Sequence, residues 1–181
     1  KDKDAKVCQT ASDSAAALAG LKANRPRPSL LVYVADGEDR SKKAGFAISP
    51  AVAVVRTTLS GKGLSTEWPG GMPKRRDLAS ANATAFIVST QVAEIALSKR
   101  GNRSVVQCTV KLRVAPWTGA DGGETWEANR SAEAKGSAKA ESGSSDRDVK
   151  NSIRDCVEAV ASELAGRQIA PFVKRQMAPS S

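Results

Sequence analysis

The sequence predicts an α/β (α+β) domain: a single mixed sheet with an antiparallel meander, covered by two main helices, the longer one C-terminal. Three observations predict it. Leu30-Leu31-Val32-Tyr33-Val34-Ala35 is a short, largely apolar run closed by Asp36-Gly37, the pattern of a strand buried on both faces. From Ser104 to Ala115 the chain alternates, with Val106, Cys108, Val110, Leu112 and Val114 pointing one way and Val105, Gln107, Thr109, Lys111 and Arg113 the other. One face of that strand is therefore buried and one is wet. Finally, Val149, Ile153, Cys156, Val157, Val160 and Leu164 recur mainly at intervals of three and four, the strongest helical period in the chain.

In chain order, residues 1–28 read as a polar segment in which Ser12 caps a short Ala-rich helix over 13–23, ended by Arg25-Pro26-Arg27-Pro28. A single domain then spans 29–168, with the 29–35 run as its central strand. Ser49-Pro50 offers an N-cap followed by proline at the first helical position, Val52, Val55 and Leu59 share a face, and Gly61 and Gly63 supply the stop, so a helix is expected over 50–60. Leu64 to Trp68 reads as a second strand before the Pro69-Gly70-Gly71 and Pro73 turns, and a helical turn is expected over 76–81. The meander runs through Ala85 to Leu97, a turn at 99–102, the strand at 104–115, a turn at 116–123, and a third strand from Glu124 to Ala134 with Trp126 and Ala128 inward. Gly136 to Ser145, of Gly, Ser, Ala and charge, reads as a mobile connector or an irregular strand end. Ser145 caps the long helix over 146–166, and 169–181 reads as a basic tail.

Composition limits the chemistry. The 181 residues include no histidine, which removes Ser/His and Cys/His nucleophile systems, His general bases and His-containing zinc sites. Lysine or carboxylate catalysis stays open in principle, but no pair is singled out. The expectation is a protein that is not an enzyme and carries no cofactor or metal. Much of the 40% hydrophobic content is alanine and only 4% of residues are aromatic, so the core should be small in volume and closely spaced. No apolar run is long enough to span a membrane. The chain begins at Lys1 instead of methionine, the expectation for a processed product that has lost a targeting segment.

The net charge is +9, with 16 basic and 9 acidic residues in 1–100 against 12 and 10 in 101–181. The clusters Arg25/Arg27, Arg40/Lys42/Lys43, Lys74/Arg75/Arg76 and Lys99/Arg100/Arg103 fall in turns or element ends. They are the candidate contacts for anionic lipid headgroups, acidic polysaccharide or nucleic acid, or else solvated loops. Gly61-Lys62-Gly63 lacks the full phosphate-loop frame and follows a helix where such a loop would open one. Asp36, Glu38 and Asp39 match no Ca²⁺ loop and read as a solvated turn. The sequons at Asn82, Asn102 and Asn129 are short enough to arise by chance. Trp117, in a turn between Pro116 and Gly119, is either a lid folded onto the core or an exposed interaction anchor.

Cys8, Cys108 and Cys156 form no CxxC pair, which argues against a metal cage. Cys108 has the inward parity of its strand and Cys156 lies on the apolar face of its helix, so a disulfide between them is possible in an oxidising compartment. Two buried thiols are the equal alternative.

The order strand, helix, strand, three-stranded meander, long C-terminal helix resembles a compact domain of bacterial envelope proteins. These include lipopolysaccharide-assembly lipoproteins, curli-secretion-channel subunits, the amino domain of Tol-system propeller proteins and domains appended to some HEAT-repeat proteins. The resemblance covers Ser29 to Gln168 and rests on Leu30 to Asp36, on Ala85-Phe86-Ile87-Val88 through Val110 to Val114, and on Asp155 to Ala161. It implies a non-catalytic, periplasmic or envelope module that binds another envelope protein or assembles with copies of itself, with no small-molecule substrate. Cys8 follows Ala5-Lys6-Val7, which is not a lipoprotein cleavage context. The alternative from a different class is a cytoplasmic, nucleic-acid-associated protein that holds phosphates through the basic loops.

Overall fold

Strand pairing organises the chain in the computed structural model, which describes residues 26–43 and 46–177. The helix expected over 13–23, Arg25, Cys8 and the last residues of the expected tail lie outside this range. The elements are β1 (Leu30–Val34), β2 (Glu38–Asp39), α1 (Ser49–Gly61), α2 (Arg75–Ser80), β3 (Thr84–Arg100), β4 (Arg103–Pro116), β5 (Ala132–Ser142), α3 (Asp146–Leu164), a π-helical turn (Ala165–Ile169) and α4 (Ala170–Met177). They form one mixed five-stranded sheet in the order β1-β3-β4-β5, with β2 also on β3. β1 and β2 run parallel to β3, whereas β3, β4 and β5 form the antiparallel meander.

Alternation along the strands fixes what is buried. Phe86, Val88 and Val92 on β3 and Val106, Cys108, Val110, Leu112 and Val114 on β4 are fully buried beneath α1 and α3. A bulge between Val92 and Glu94 shifts the parity of β3 and brings Ile95 back to the same side. On the β5 side of this layer stand only small residues, Ala134, Gly136, Ala138 and Ala140, opposite Leu112, Val110, Cys108 and Val106. A Cβ on Gly136 would come within 3.1 Å of Val160 Cγ1 and 3.2 Å of Leu164 Cδ2, so the helix seats closely on the strand. There the chain bonds Cys108 on β4 to Cys156 on α3, with Cα atoms 6.2 Å apart. α1 joins the layer through Val52, Val55 and Leu59 and meets α3 where the Thr58 and Ser162 hydroxyls lie 3.1 Å apart.

A second, smaller cluster packs on the opposite face at one end of the sheet. Leu31, Leu78, Ala85 and Trp117 are buried there, with Tyr33, Trp68 and Ile87 against them, and the Tyr33 and Trp117 rings stack at 4.8 Å. Trp117 is thus the lid and not an exposed anchor. Gly119 makes the lid possible: its φ is +100° and a Cβ would lie 2.6 Å from the Arg75 backbone nitrogen. The loop locks onto α2 because Ala120 N–H donates to Pro73 O at 2.9 Å and Arg75 N–H donates to Asp121 Oδ1 at 2.7 Å. That backbone donor is the main reason the Asp121 carboxyl titrates below its usual 3.8, with Lys74 and Arg75 adding smaller charge effects.

Several expectations need correction. β1 is an edge strand and not the central one; β3 and β4 occupy the middle. Its apolar run is still buried, because Leu64 to Trp68 closes over it. That expected second strand reduces to one parallel bridge, with Val32 N–H donating to Ser65 O at 2.8 Å, before the Trp68–Gly71 turn pulls the chain away. The third meander strand starts at Ala132 and not at Glu124, leaving Trp126 and Ala128 exposed. A turn closed by Arg130 N–H on Glu127 O and Glu127 N–H on Ser131 Oγ interrupts the run. Of the two readings of 136–145, the strand holds as far as Ser142, and regularly, as most of β5. The Ser49 side chain makes no cap: Ile48 holds the N-cap position and Ser49 opens the helix. Ser145 does cap α3, accepting from Asp148 N–H.

The region expected as a tail from 169 is helical to Met177, with Ile169, Ala170 and Val173 buried in the main core. Pro171 would normally break such a helix by removing a donor and crowding the carbonyl four residues back. Here the wide π turn precedes it, with Ala170 N–H reaching Ala165 O, and the apolar contacts carry the chain through.

Three outcomes follow. Replacing Cys108 and Cys156 together by Ala should cost about 4 kcal/mol, from loss of a crosslink 48 residues apart, read by urea denaturation against the oxidised protein. Thr90 is 1% exposed and its hydroxyl has no partner among the described residues, so Thr90→Val should stabilise by about 1 kcal/mol, read as a raised Tm. Because the folded Asp121 pKa is depressed, its contribution is present above 3.8 and is lost as pH falls through the lower folded value. The near-ultraviolet dichroism of the Tyr33–Trp117 stack should therefore weaken in acid below 3.8, and Asp121→Asn should flatten that part of the profile; coincident profiles would contradict the assignment.

Candidate functional site: the open face and edge of the sheet

With every long helix on one side, the other face of the meander away from Trp117 has no helical cover. Its side chains follow from strand parity. Across β3, β4 and β5 the rows read Ser89-Arg113-Glu133, Gln91-Lys111-Lys135, Glu94-Thr109-Ser137, Ala96-Gln107-Lys139 and Ser98-Val105-Glu141. The surface is polar, and its charges are partly matched: Glu133 lies 3.6 Å from Lys111 and 3.9 Å from Arg113, and Arg103 reaches Glu141 at 2.9 Å. At its centre the Thr109 and Ser137 hydroxyls are 2.9 Å apart. Exposed pairs of this kind add little stability, so the pattern matters more for what the surface can meet.

Trp126 stands at one border of this face. It is 50% exposed, and the Arg113 guanidinium lies 4.9 Å from its ring centroid. Arg113 is also 3.7 Å from Glu124. The sequence placed Trp126 inward, one strand too early; its position on the wet face follows from the turn at 127–130.

The basic residues predicted as contacts are divided among three places. Lys99, Arg100 and Arg103 come together at the β3–β4 hairpin tip, where Arg100 pairs with Arg103. Arg40, Lys42 and Lys43 follow β2 at the level of Val92, with Arg40 N–H donating to Val92 O. Lys74, Arg75 and Arg76 sit at the start of α2, beside the Trp117 lid at the far end. At the usual strand rise, the tip is about 25 Å from the Arg40 cluster and about 50 Å from the lid end. Arg40 is also engaged: it hydrogen-bonds Glu38 at 2.7 Å, and Gln91 donates to the same carboxylate at 2.9 Å. The Arg40 bond first, then Gln91, hold the Glu38 carboxyl below its usual range, and Glu38 in turn raises Arg40. Asp39 accepts from Ser41 N–H at 2.8 Å. These acidic residues thus serve the turn, and no cluster of three metal-ligating residues occurs among the described residues.

Two further features lie beside β1. Gly61-Lys62-Gly63 closes α1, with Lys62 and Gly63 N–H groups donating to Thr58 and Ser60 carbonyls, so these amides do not face a phosphate. An open cleft of about 1250 Å³ runs between Tyr33, Arg56, Trp68 and Met72. Nothing in the local sequence pattern announced it, because it is assembled from separate loops.

No known protein family matches the chain, and no curated protein does so. Solved structures do align with it. A hypothetical protein from Chlamydia trachomatis is 9% identical over 75% of this chain and 95% of its own, with a TM-score of 0.44. PelC from Paraburkholderia phytofirmans, a dodecamer, is 14% identical over 82% and 93%, with a TM-score of 0.43. A minor lipoprotein from Acinetobacter baumannii is 11% identical over 81% and 93%, with a TM-score of 0.40. Likeness at this level carries no inference about this chain's role, which rests on its own residues.

Proposed function

We propose that the chain is a non-catalytic binding or assembly module that works outside the cytoplasm, in a bacterial cell envelope. The observation that carries this reading is the Cys108–Cys156 bond between sheet and long helix. Such crosslinks persist where the surroundings are oxidising and are kept reduced in most cytosols. Both cysteines are buried, at 0% and 4% exposure, which protects the bond from exchange. The three-stranded meander followed by the long helix, which the envelope resemblance shares, supports the same compartment.

The open polar face and the hairpin tip suit such a module. Arg100 and Arg103 share the open face at the tip, with Lys99 beside them on the other face, and this end fits contact with anionic headgroups or acidic polysaccharide. A cytoplasmic nucleic-acid role is less favoured, because the three basic clusters are spread along the sheet and do not line one phosphate track.

The test is to fractionate the producing cells and to unfold each fraction in denaturant in the presence of a thiol-alkylating reagent, so that any free Cys108 or Cys156 thiol is exposed to it. Cys108 and Cys156 should escape alkylation until reductant is added, and the protein should appear in the periplasmic or envelope fraction. Both thiols alkylated before reduction, in protein from the cytosolic fraction, would overturn the reading.

A further inference from the structure

The outer edge of β5 combines features that point to a specific occupant. β5 is 11 residues long, contains no proline and pairs with β4 without a register shift from Ala132 to Ser142. It ends the sheet, and among the described residues nothing pairs with its outer side. Long, regular, open edges are templates for further strand pairing, and proteins that stay monomeric usually blunt them. The opposite edge is blunted in this way: β1 is short, is bridged by Ser65, and is separated from β2 by Ala35 to Gly37.

The β5 side chains can meet a second copy of themselves with opposite charges aligned. On the wet face the strand reads Glu133, Lys135, Ser137, Lys139, Glu141, and on the helix face Ala, Ala, Gly, Ala, Ala, Ser. Two such strands paired antiparallel about Ser137 would set Lys135 against Lys139 and Glu133 against Glu141, like against like, which is destabilising. Moving the two-fold axis to Gly136 or to Ala138 reverses this; the Ala138 axis would rely on Glu141, which Arg103 already holds at 2.9 Å, whereas the Gly136 axis uses Glu133, whose own contacts are looser at 3.6 and 3.9 Å. Glu133 then faces Lys139 of the second copy, Lys139 faces its Glu133, and Lys135 faces its Ser137. Lys135 and Lys139 have no ion pair among the described residues, and Lys135 already lies beside Lys111; pairing gives Lys139 an opposite charge. On the helix face only Ala and Gly meet.

The layer above fits as well. α3 packs over both β4 and β5, so a two-fold copy across the β5 edge, with strands about 4.8 Å apart, brings the two α3 helices to about 10 Å, the normal distance for packed helices. A two-fold axis normal to the sheet also keeps both helical layers on one side.

We infer that two copies of the chain join edge to edge through β5, in an antiparallel ladder centred on Gly136 with Glu133–Lys139 pairs on the open face, forming a continuous sheet. This deepens the assembly reading above and rests on it for its biological setting, but it is measured separately, on purified oxidised protein. The experiment is sedimentation equilibrium over a range of concentrations on the full chain and on Lys139→Glu, Glu133→Lys and the double exchange, with circular dichroism confirming that each is folded. The parent should dimerise. Each single variant should weaken the dimer about tenfold or more by placing like charges opposite each other twice, and the double exchange should recover most of the affinity. A parent that stays monomeric at all concentrations, a dimer unaffected by either single change, or folded single variants whose losses are not rescued by the double exchange would each overturn the proposal. Thiol state and cell fraction bear on the compartment alone, so failure of either reading is distinguishable from failure of the other.

Discussion

The close seating of α3 on β4 and β5 is the constraint on which the rest of this structure depends. A sheet and a helix with full-sized side chains on both sides stand about 10 Å apart; here the strand contributes only Ala134, Gly136, Ala138 and Ala140, and the helix comes down to contact. That proximity lets Cys156 reach Cys108 and lets Val160 and Leu164 fill the space over Gly136. The alanine-rich, aromatic-poor composition is the compositional trace of this arrangement. Large residues are concentrated where the sheet meets α1 and where Trp117 covers the opposite face, and both places have loops or a second helix to accommodate them.

Legibility in the sequence followed how far local pattern and tertiary packing agreed. β4 was readable along its length, because every inward position from Val106 to Val114 is β-branched, Leu or Cys and the outward ones are mostly polar. α1 and the main body of α3 were readable for the same reason at a period of 3.6. β5 was not, because Ala, Gly, Ser, Lys and Glu are poor strand formers; they form a strand here because β4 offers a complete ladder and the helix demands small partners. The basic tail failed similarly: Pro171 and nearby charges outweighed Ile169, Phe172 and Val173 on inspection, whereas in the fold those apolar residues find the core. β1 has the burial expected of a central strand without the position, since loop 64–68 supplies its second cover.

For the candidate site, parity gave half of the open face in advance, namely Val105, Gln107, Thr109, Lys111 and Arg113. The β5 half and Trp126 could not be placed without the correct start of β5. Charge clusters were visible as clusters, but a linear sequence does not show that a 17-residue strand separates them. At the hairpin tip sequence proximity and spatial convergence coincide, because a tight turn keeps Arg100 and Arg103 as cross-strand partners.

The π turn at Ala165–Ile169 also acts on the timing of the helix. Each α-helical residue advances the side-chain direction by about 100°, so an unbroken helix continuing the Val157, Val160, Leu164 stripe would rotate Ile169 and Val173 away from the sheet. Holding one extra residue in a wide turn sets the helix back by nearly one such step, and both residues return to the core. The turn is thus equivalent to a single-residue insertion absorbed without losing the apolar face. A longer helix with its apolar phase reset partway along can follow a twisted sheet for more of its length than a regular helix of the same composition.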